Sequence, residues 1–250
     1  MKKQFDSGHE TNVTNFDEFV KRSVKLGATF NPARAIIKLD FLKNLLLQAQ
    51  LALTVLNKAH NDMTKAITAR ARVFDELDKL VTRVSNAAAS SDILPETIVK
   101  ITKQVNKYRS KRINAIDEPE IDPTAETTVE EERRRNSVAQ GSMNNRIKNF
   151  KRLITMVKAE ENYLPNELDL TVEALESMLN EVRTRNDVAQ NAKIDFNSAL
   201  ENRDNILYGT EQGLIKCVRV TKKYARSAFG PSSKEFKRLS SLKFKDQDED

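Results

Sequence analysis

Tryptophan is absent and cysteine occurs once, at Cys217, so no intrachain disulfide can form. Nothing around that residue marks it as a nucleophile, and its place on an apolar helix face predicts a buried structural thiol. Histidine occurs twice. A ferritin-like di-iron site needs Glu-x-x-His twice, and the residues three before His9 and His60 are Asp6 and Asn57. One cysteine with two histidines is too little for a zinc site. A phosphate-binding glycine loop, a Gly-x-Ser-x-Gly elbow and the Rossmann glycines are all missing. The sequence therefore implies no metal and no cofactor, and an enzyme is not expected. Long apolar runs are lacking too: the richest, residues 36–56, is interrupted by Lys38, Asp40, Lys43 and Gln48, which argues against a membrane span. No apolar stretch follows Lys2 and Lys3, so a secretory signal is not expected and the predicted location is cytoplasmic. Glycine and proline are scarce, six of each, and 31% of residues are charged, a balance that favours helices over a β fold.

What is present is a seam. Every seventh residue from Leu42 gives Leu42, Ala49, Leu56, Met63, Arg70, Leu77 and Val84. Three residues after the first six come Leu45, Ala52, Ala59, Ala66, Val73 and Leu80. Apolar residues three and four apart share one helix face. No glycine or proline stands between Pro32 and Pro95, so one continuous helix is predicted. Its 42–84 portion alone would span roughly 65 Å at 1.5 Å per residue. A neighbouring column (Leu46, Leu53, His60, Ile67, Phe74, Val81) widens the stripe beyond a two-stranded coiled coil and predicts a bundle.

The seam returns 133 residues later as Leu175, Val182, Ala189, Phe196 and Arg203, so that Arg203 matches Arg70. Pro165 matches Pro32 and Tyr163 matches Phe30. The predicted fold class is all-α: an elongated antiparallel helical bundle built from two tandem related repeats, each with one long helix and shorter flanking helices. Residues 14–113 form the first repeat, 114–141 an acidic, charged connector and 142–245 the second repeat, the two packing as one elongated domain.

Along the chain, residues 1–13 read as loose. A short helix is expected over 15–26, ended by Gly27. Asn31-Pro32 and Pro165 read as the starts of the two long helices, the first reaching about Ala88 and the second about Phe229. Gly209 and Gly213 weaken the second by about 1 kcal/mol each against alanine, and a kink is admitted there. A helix is expected from Pro95 to about Ile113. The run Glu130 to Arg135 is either helical, through charge pairs three and four apart, or disordered. Another helix is expected to end near Asn162. Ser232 with Glu235 fits a capping box for a last helix over 233–242, before an acidic tail.

Residues 224–244, YARSAFGPSSKEFKRLSSLKF, carry a resemblance. Phe229, Gly230, Ser233, Phe236, Lys237, Leu242, Lys243 and Phe244 resemble the C-terminal signature of a duplicated, all-helical family of Bacteroidota bacteria whose function is unknown. Phe30-Asn31-Pro32 and Tyr163-Leu164-Pro165-Asn166-Glu167 look like that family as well, and the likeness covers residues 15–245. The family's usual proline after the serine is Lys234 here. The resemblance implies the fold and the duplication and supplies no site.

Two features remain for function. Arg70 and Arg203 stand inside apolar seams, where a charge is costly unless paired. Each either snorkels to pair with a carboxylate of another helix or fixes register and lines a polar interior site. The second feature is a basic C-terminal face over 216–245, which holds ten lysines and arginines against Glu235. Its candidate binding residues are Lys216, Arg219, Lys222, Lys223, Arg226, Lys237 and Arg238, with Tyr224, Phe229, Phe236 and Phe244 among them. Lys100 to Arg112 adds six more basic residues. The first expectation is a non-enzymatic helical scaffold that binds a protein partner or itself. The alternative is a nucleic-acid binder using the basic face. A membrane-inserting, toxin-like protein is disfavoured, and no small-molecule substrate is implied.

Overall fold

The computed structural model describes residues 7–109 and 129–246. It contains seven α-helices and, among the described residues, no strand: α1 (Ser7–Val24), α2 (Leu39–Ala89), α3 (Pro95–Arg109), α4 (Val129–Lys158), α5 (Val172–Tyr208), α6 (Leu214–Phe229) and α7 (Lys234–Ser240). The all-α class holds. Residues 1–6 of the N-terminal segment, 110–113 at the end of the helix expected from Pro95, 114–128 of the expected connector and 247–250 of the acidic tail lie outside the described residues; residues 129–141, also assigned to the connector, are helical.

The chain divides into two compact units. Unit 1 comprises Met1–Met63 and Ala192–Asp250, and unit 2 comprises Thr64–Asn191. The boundary falls inside α2 and α5, so the units cut across the segments 14–113 and 142–245, each taking residues from both.

In unit 1 the core joins Phe16 and Phe19 of α1, Leu42 and Ala49 of α2, Leu207 of α5, Leu214, Cys217 and Val218 of α6, and Leu239 of α7. The N-terminal segment is not loose from residue 7 onward, because α1 is tied down on its polar side as well. Buried Asn12 donates to the Lys245 carbonyl at 3.0 Å and accepts from its N–H at 3.0 Å. Asn15 donates to the Lys243 carbonyl at 2.8 Å, and His9 shares a 2.7 Å hydrogen bond with the Tyr208 hydroxyl. The helix stops at Val24, and Gly27 takes φ +59° in the turn that follows.

In unit 2 the core joins Phe74, Leu77, Val81 and Val84 of α2, Ile101 and Val105 of α3, Phe150, Leu153 and Val157 of α4, and Leu175 and Val182 of α5. A polar cluster closes one side. Arg146 lies 4.8 Å over the Phe74 ring and 5.0 Å over the Tyr108 ring, pairs with Asp78 and donates to the Tyr108 hydroxyl at 2.7 Å. That hydroxyl donates in turn to Asp78 at 2.9 Å.

The seam is buried at Leu42, Ala49, Leu56, Leu77 and Val84 but only half-buried at Met63 and Arg70. Between Leu56 and Val73 the stripe holds Ala59, His60, Met63, Ala66, Ile67 and Arg70, of which only Ala66 is buried. His60, expected at the stripe's edge, is exposed with its ring 5.5 Å from that of Phe196.

Neither long helix begins at its proline. Both are preceded by a 3-10 turn, Ala35–Ile37 and Leu168–Leu170, and start at Leu39 and Val172. The turns bury Ile37 and Leu170, and the Tyr163 hydroxyl locks the second by donating to the Leu170 carbonyl at 3.0 Å. All these pairs are 133 residues apart. The buried sets Val13, Phe16, Phe19, Val20 and Ile147, Phe150, Leu153, Ile154 are 134 apart, because the turn after α1 is one residue longer than the turn after α4.

The second long helix ends at Tyr208, not near Phe229. Gly209 and Gly213 are in backbone contact: a Cβ on Gly213 would stand 2.4 Å from the Gly209 nitrogen. The hydrogen bonds Gly209 N–H to Asn205 O (3.1 Å), Gly213 N–H to Gly209 O (2.9 Å) and Cys217 N–H to Gly213 O (2.9 Å) carry the chain through a tight break and into α6. The last helix is capped by Ser233 rather than Ser232, its hydroxyl accepting from the Phe236 N–H at 3.1 Å.

Candidate interaction surfaces

Unit 1 carries a cleft of about 510 Å³ beside the α5–α6 break, lined by Phe41, Asn44, Gln48, Asn205, Glu211 and Gln212 among others. Unit 2 carries one of about 520 Å³ where the end of α2 meets the turn before α5, lined by Arg83, Asn86, Ser90, Ser91, Leu164, Pro165 and Glu167 among others. Amides, hydroxyls and single carboxylates line them, with no nucleophile–base pair. Among the described residues no group of three or more His, Cys, Asp or Glu is placed to hold a metal ion. Cys217 is fully buried, its thiol 3.4 Å from the Gln212 carbonyl and pushed up to about 11 by burial.

The two seam arginines fall in different units. Arg203 is 7% exposed and pairs with Asp204 of its own helix through Nε (2.9 Å) and Nη2 (2.8 Å). Arg70 is half-buried and makes no ion pair among the described residues, and desolvation lowers its pKa. Asn186, on α5 in unit 2, is also buried; it donates to the Asn144 side chain at 2.9 Å while its own oxygen accepts nothing.

The basic face resolves into residues with different tasks. Lys216, Arg219, Lys223 and Arg226 follow a 3-4-3 spacing and lie exposed along one side of α6. Arg219 pairs with Asp246. Lys222 does not belong to the exposed set. It is half-buried, donates to the Leu242 carbonyl at 2.6 Å and lies 5.3 Å over the Phe244 ring, and desolvation lowers its pKa. Lys237 and Arg238 are exposed on α7. The aromatics Tyr224, Phe229, Phe236 and Phe244 pack against the unit 1 core, so they are not free to stack on bases. Arg34 adds to the basic side. Its turn packs on α6, with the Asn31 N–H donating to the Tyr224 hydroxyl at 3.0 Å and the Phe30 and Tyr224 rings edge-to-face at 5.3 Å.

Unit 2 holds a surface that the periodicity did not reveal. Leu94, Leu164 and Leu168 are 71%, 79% and 85% exposed. Asn162 donates to the Asp92 carbonyl at 2.8 Å, so the turns carrying Leu94 and Leu164 are tied together. The same turns and their flanks carry Asp92, Glu96, Glu160, Glu161 and Glu167, none in an ion pair among the described residues, with the Glu167 charge acting on Arg83. Asp169 is neutralised by Arg83, whose hydrogen bonds hold its carboxyl below the usual range. The signal available in the sequence was leucine beside Pro95 and Pro165 within acidic turns, where no core position was called for.

A second apolar strip, Leu47, Leu51 and Val55, runs along the exposed side of α2 in unit 1. An 18-residue stretch of α2 reaches the hydropathy of a membrane span by composition, and 39% of it is buried in protein.

No protein-family model, curated protein or solved structure matches this chain. The likeness of residues 224–244 to a Bacteroidota family therefore rests on the quoted residues, whose local tasks are structural: Gly230 at φ 84° ends α6, Ser233 caps α7, and Phe244 meets Phe19 edge-to-face at 6.1 Å.

Proposed function

We propose that the chain is a non-enzymatic helical interaction protein, built from two related segments and acting in the cytoplasm by holding a protein partner. The observation that carries this reading is the pair of joined turns bearing Leu94 and Leu164. Two leucines largely in water on joined turns, with a third four residues further along the chain, are unusual for a surface with no partner. The relatedness of the segments is supported by the shared 133-residue spacing of the buried aromatics, the 3-10 turns and the helix starts. It is supported too by the make-up of the units, each holding the front of one segment and the back of the other. The resemblance to the duplicated Bacteroidota family points the same way.

A second reading, nucleic-acid binding, is favoured by one observation, the exposed row Lys216, Arg219, Lys223 and Arg226. Isolation of the intact protein from its own cells, with identification of what co-purifies, tests the first reading; the variant L164S L168S should lose the partner. Binding to DNA and RNA across a salt series tests the second. A steep fall in affinity between low and physiological salt supports it, and no binding at low salt removes it.

A further inference from the structure

The two surfaces just described are opposite in charge, and each keeps charged groups that form no ion pair among the described residues. On unit 1, Arg34, Lys216, Lys223 and Arg226 are exposed and form no ion pair among the described residues. On unit 2, Asp92 and Glu161 are exposed and form no ion pair among the described residues, Glu167 is exposed with Arg83 on the same cleft, and exposed leucines lie in the same turns. Unpaired charge around an apolar centre is the composition of an association surface, in which the centre supplies adhesion and the rim supplies register and encounter rate. The complementary face in view belongs to the same chain.

We propose that the acidic, leucine-bearing turns of unit 2 dock on the basic face of unit 1 in a second copy of this chain. This rests on the interaction reading above and names its partner. The contact joins two different surfaces, so each copy bound through one surface still offers the other. Such an interface builds rings or open chains rather than stopping at a twofold dimer. It is also a small, charge-rimmed contact, of the kind that associates weakly, depends on concentration and is screened by salt.

Light scattering on the full chain tests this. The wild-type mass should rise above 28.4 kDa with concentration at low salt and return to it as the ionic strength approaches about 1 M, where the screening length falls to about 3 Å. The variant E160K E161K E167K should stay monomeric, and so should K216E K223E R226E. An equimolar mixture of the two should associate again, because one copy keeps the basic face and the other the acidic one. If either reversal variant fails to give the wild-type helical circular dichroism, L164S L168S replaces the mixing test and should reduce association at least tenfold. A wild-type chain that remains monomeric at low salt overturns the proposal, as does a mixture that fails to associate or a reversal variant that associates alone. If the chain is monomeric while another protein co-purifies with it, only the self-contact falls; if nothing co-purifies either, the interaction reading falls with it.

Discussion

Replacing Gly213 by alanine distinguishes a helix break from a continuous helix by the sign of its effect. In the structure the new Cβ would stand 2.4 Å from the Gly209 nitrogen, 2.5 Å from its oxygen and 2.9 Å from the Tyr208 carbonyl carbon. These are backbone atoms, so no side chain can swing aside, and the two strands of the break must part by about 1 Å to reach ordinary contact. That movement strains the 2.9 Å bond from the Gly213 N–H to the Gly209 carbonyl, worth about 1 kcal/mol. It also displaces Leu207 and Leu214, both fully buried, at the 1–3 kcal/mol typical of an overpacked core, roughly. The sum is a loss of about 3 kcal/mol. Were the helix continuous, as periodicity alone predicts, the same change would stabilise by about 1 kcal/mol. Cys217 provides the assay. It is the single thiol, fully buried four residues after the substitution, and it labels only when unit 1 opens. In native buffer near pH 8 the labelling rate follows the open population, so a 3 kcal/mol loss speeds it roughly 150-fold. Gly27→Ala is the control: φ is +59° but nothing stands within 4 Å, so only the left-handed penalty of about 1–2 kcal/mol applies. Labelling of G213A at the wild-type rate or slower refutes the account of the break.

Further expectations follow from unit 2. Leu77→Ala removes a fully buried side chain and should cost about 3 kcal/mol, read from urea unfolding monitored by circular dichroism. Arg146→Met should cost more than Asp78→Ala, because it removes the stacking on Phe74 and Tyr108 together with the ion pair; equal losses would show that the stacking contributes nothing. Tyr163 is pushed up to about 12, by burial first and by the Glu167 charge second. A raised folded pKa means its stability contribution is complete below pH 10 and is lost as pH rises from 10 through 12. Wild type should weaken over that window by on the order of 1–2 kcal/mol more than Tyr163→Phe, measured by pH-dependent urea midpoints.

The sequence disclosed those parts of the fold that depend on long-range phase. Leu42, Ala49, Leu77 and Val84 were read as one face, and all four are buried. It disclosed less where a short side chain stands in for a close approach. Gly209 and Gly213 looked like weak points of a helix, whereas their backbones touch. Pro32 and Pro165 looked like helix starts, but the chain first turns to bury Ile37 and Leu170. Polar residues of α1 gave no apolar signal, and their partners at Tyr208, Lys243 and Lys245 are some two hundred positions away in the chain. For the candidate surface, spacing found the basic row on α6 and missed that Lys222 turns inward to the Leu242 carbonyl. Exposed leucines in turns have no period to read.

The way the units are composed has a consequence for how the protein is made. Unit 1 needs Met1–Met63 together with Ala192–Asp250. On a ribosome, Phe16, Phe19 and Leu42 therefore emerge well before Leu214, Val218 and Leu239, with which they share a core, and wait for them. During that interval the nascent chain exposes half a core, at a synthesis rate of about 5–20 residues per second. The protein should consequently lean on holding chaperones while it is being translated, and a chain truncated before α6 should be recovered as aggregate rather than as a folded fragment.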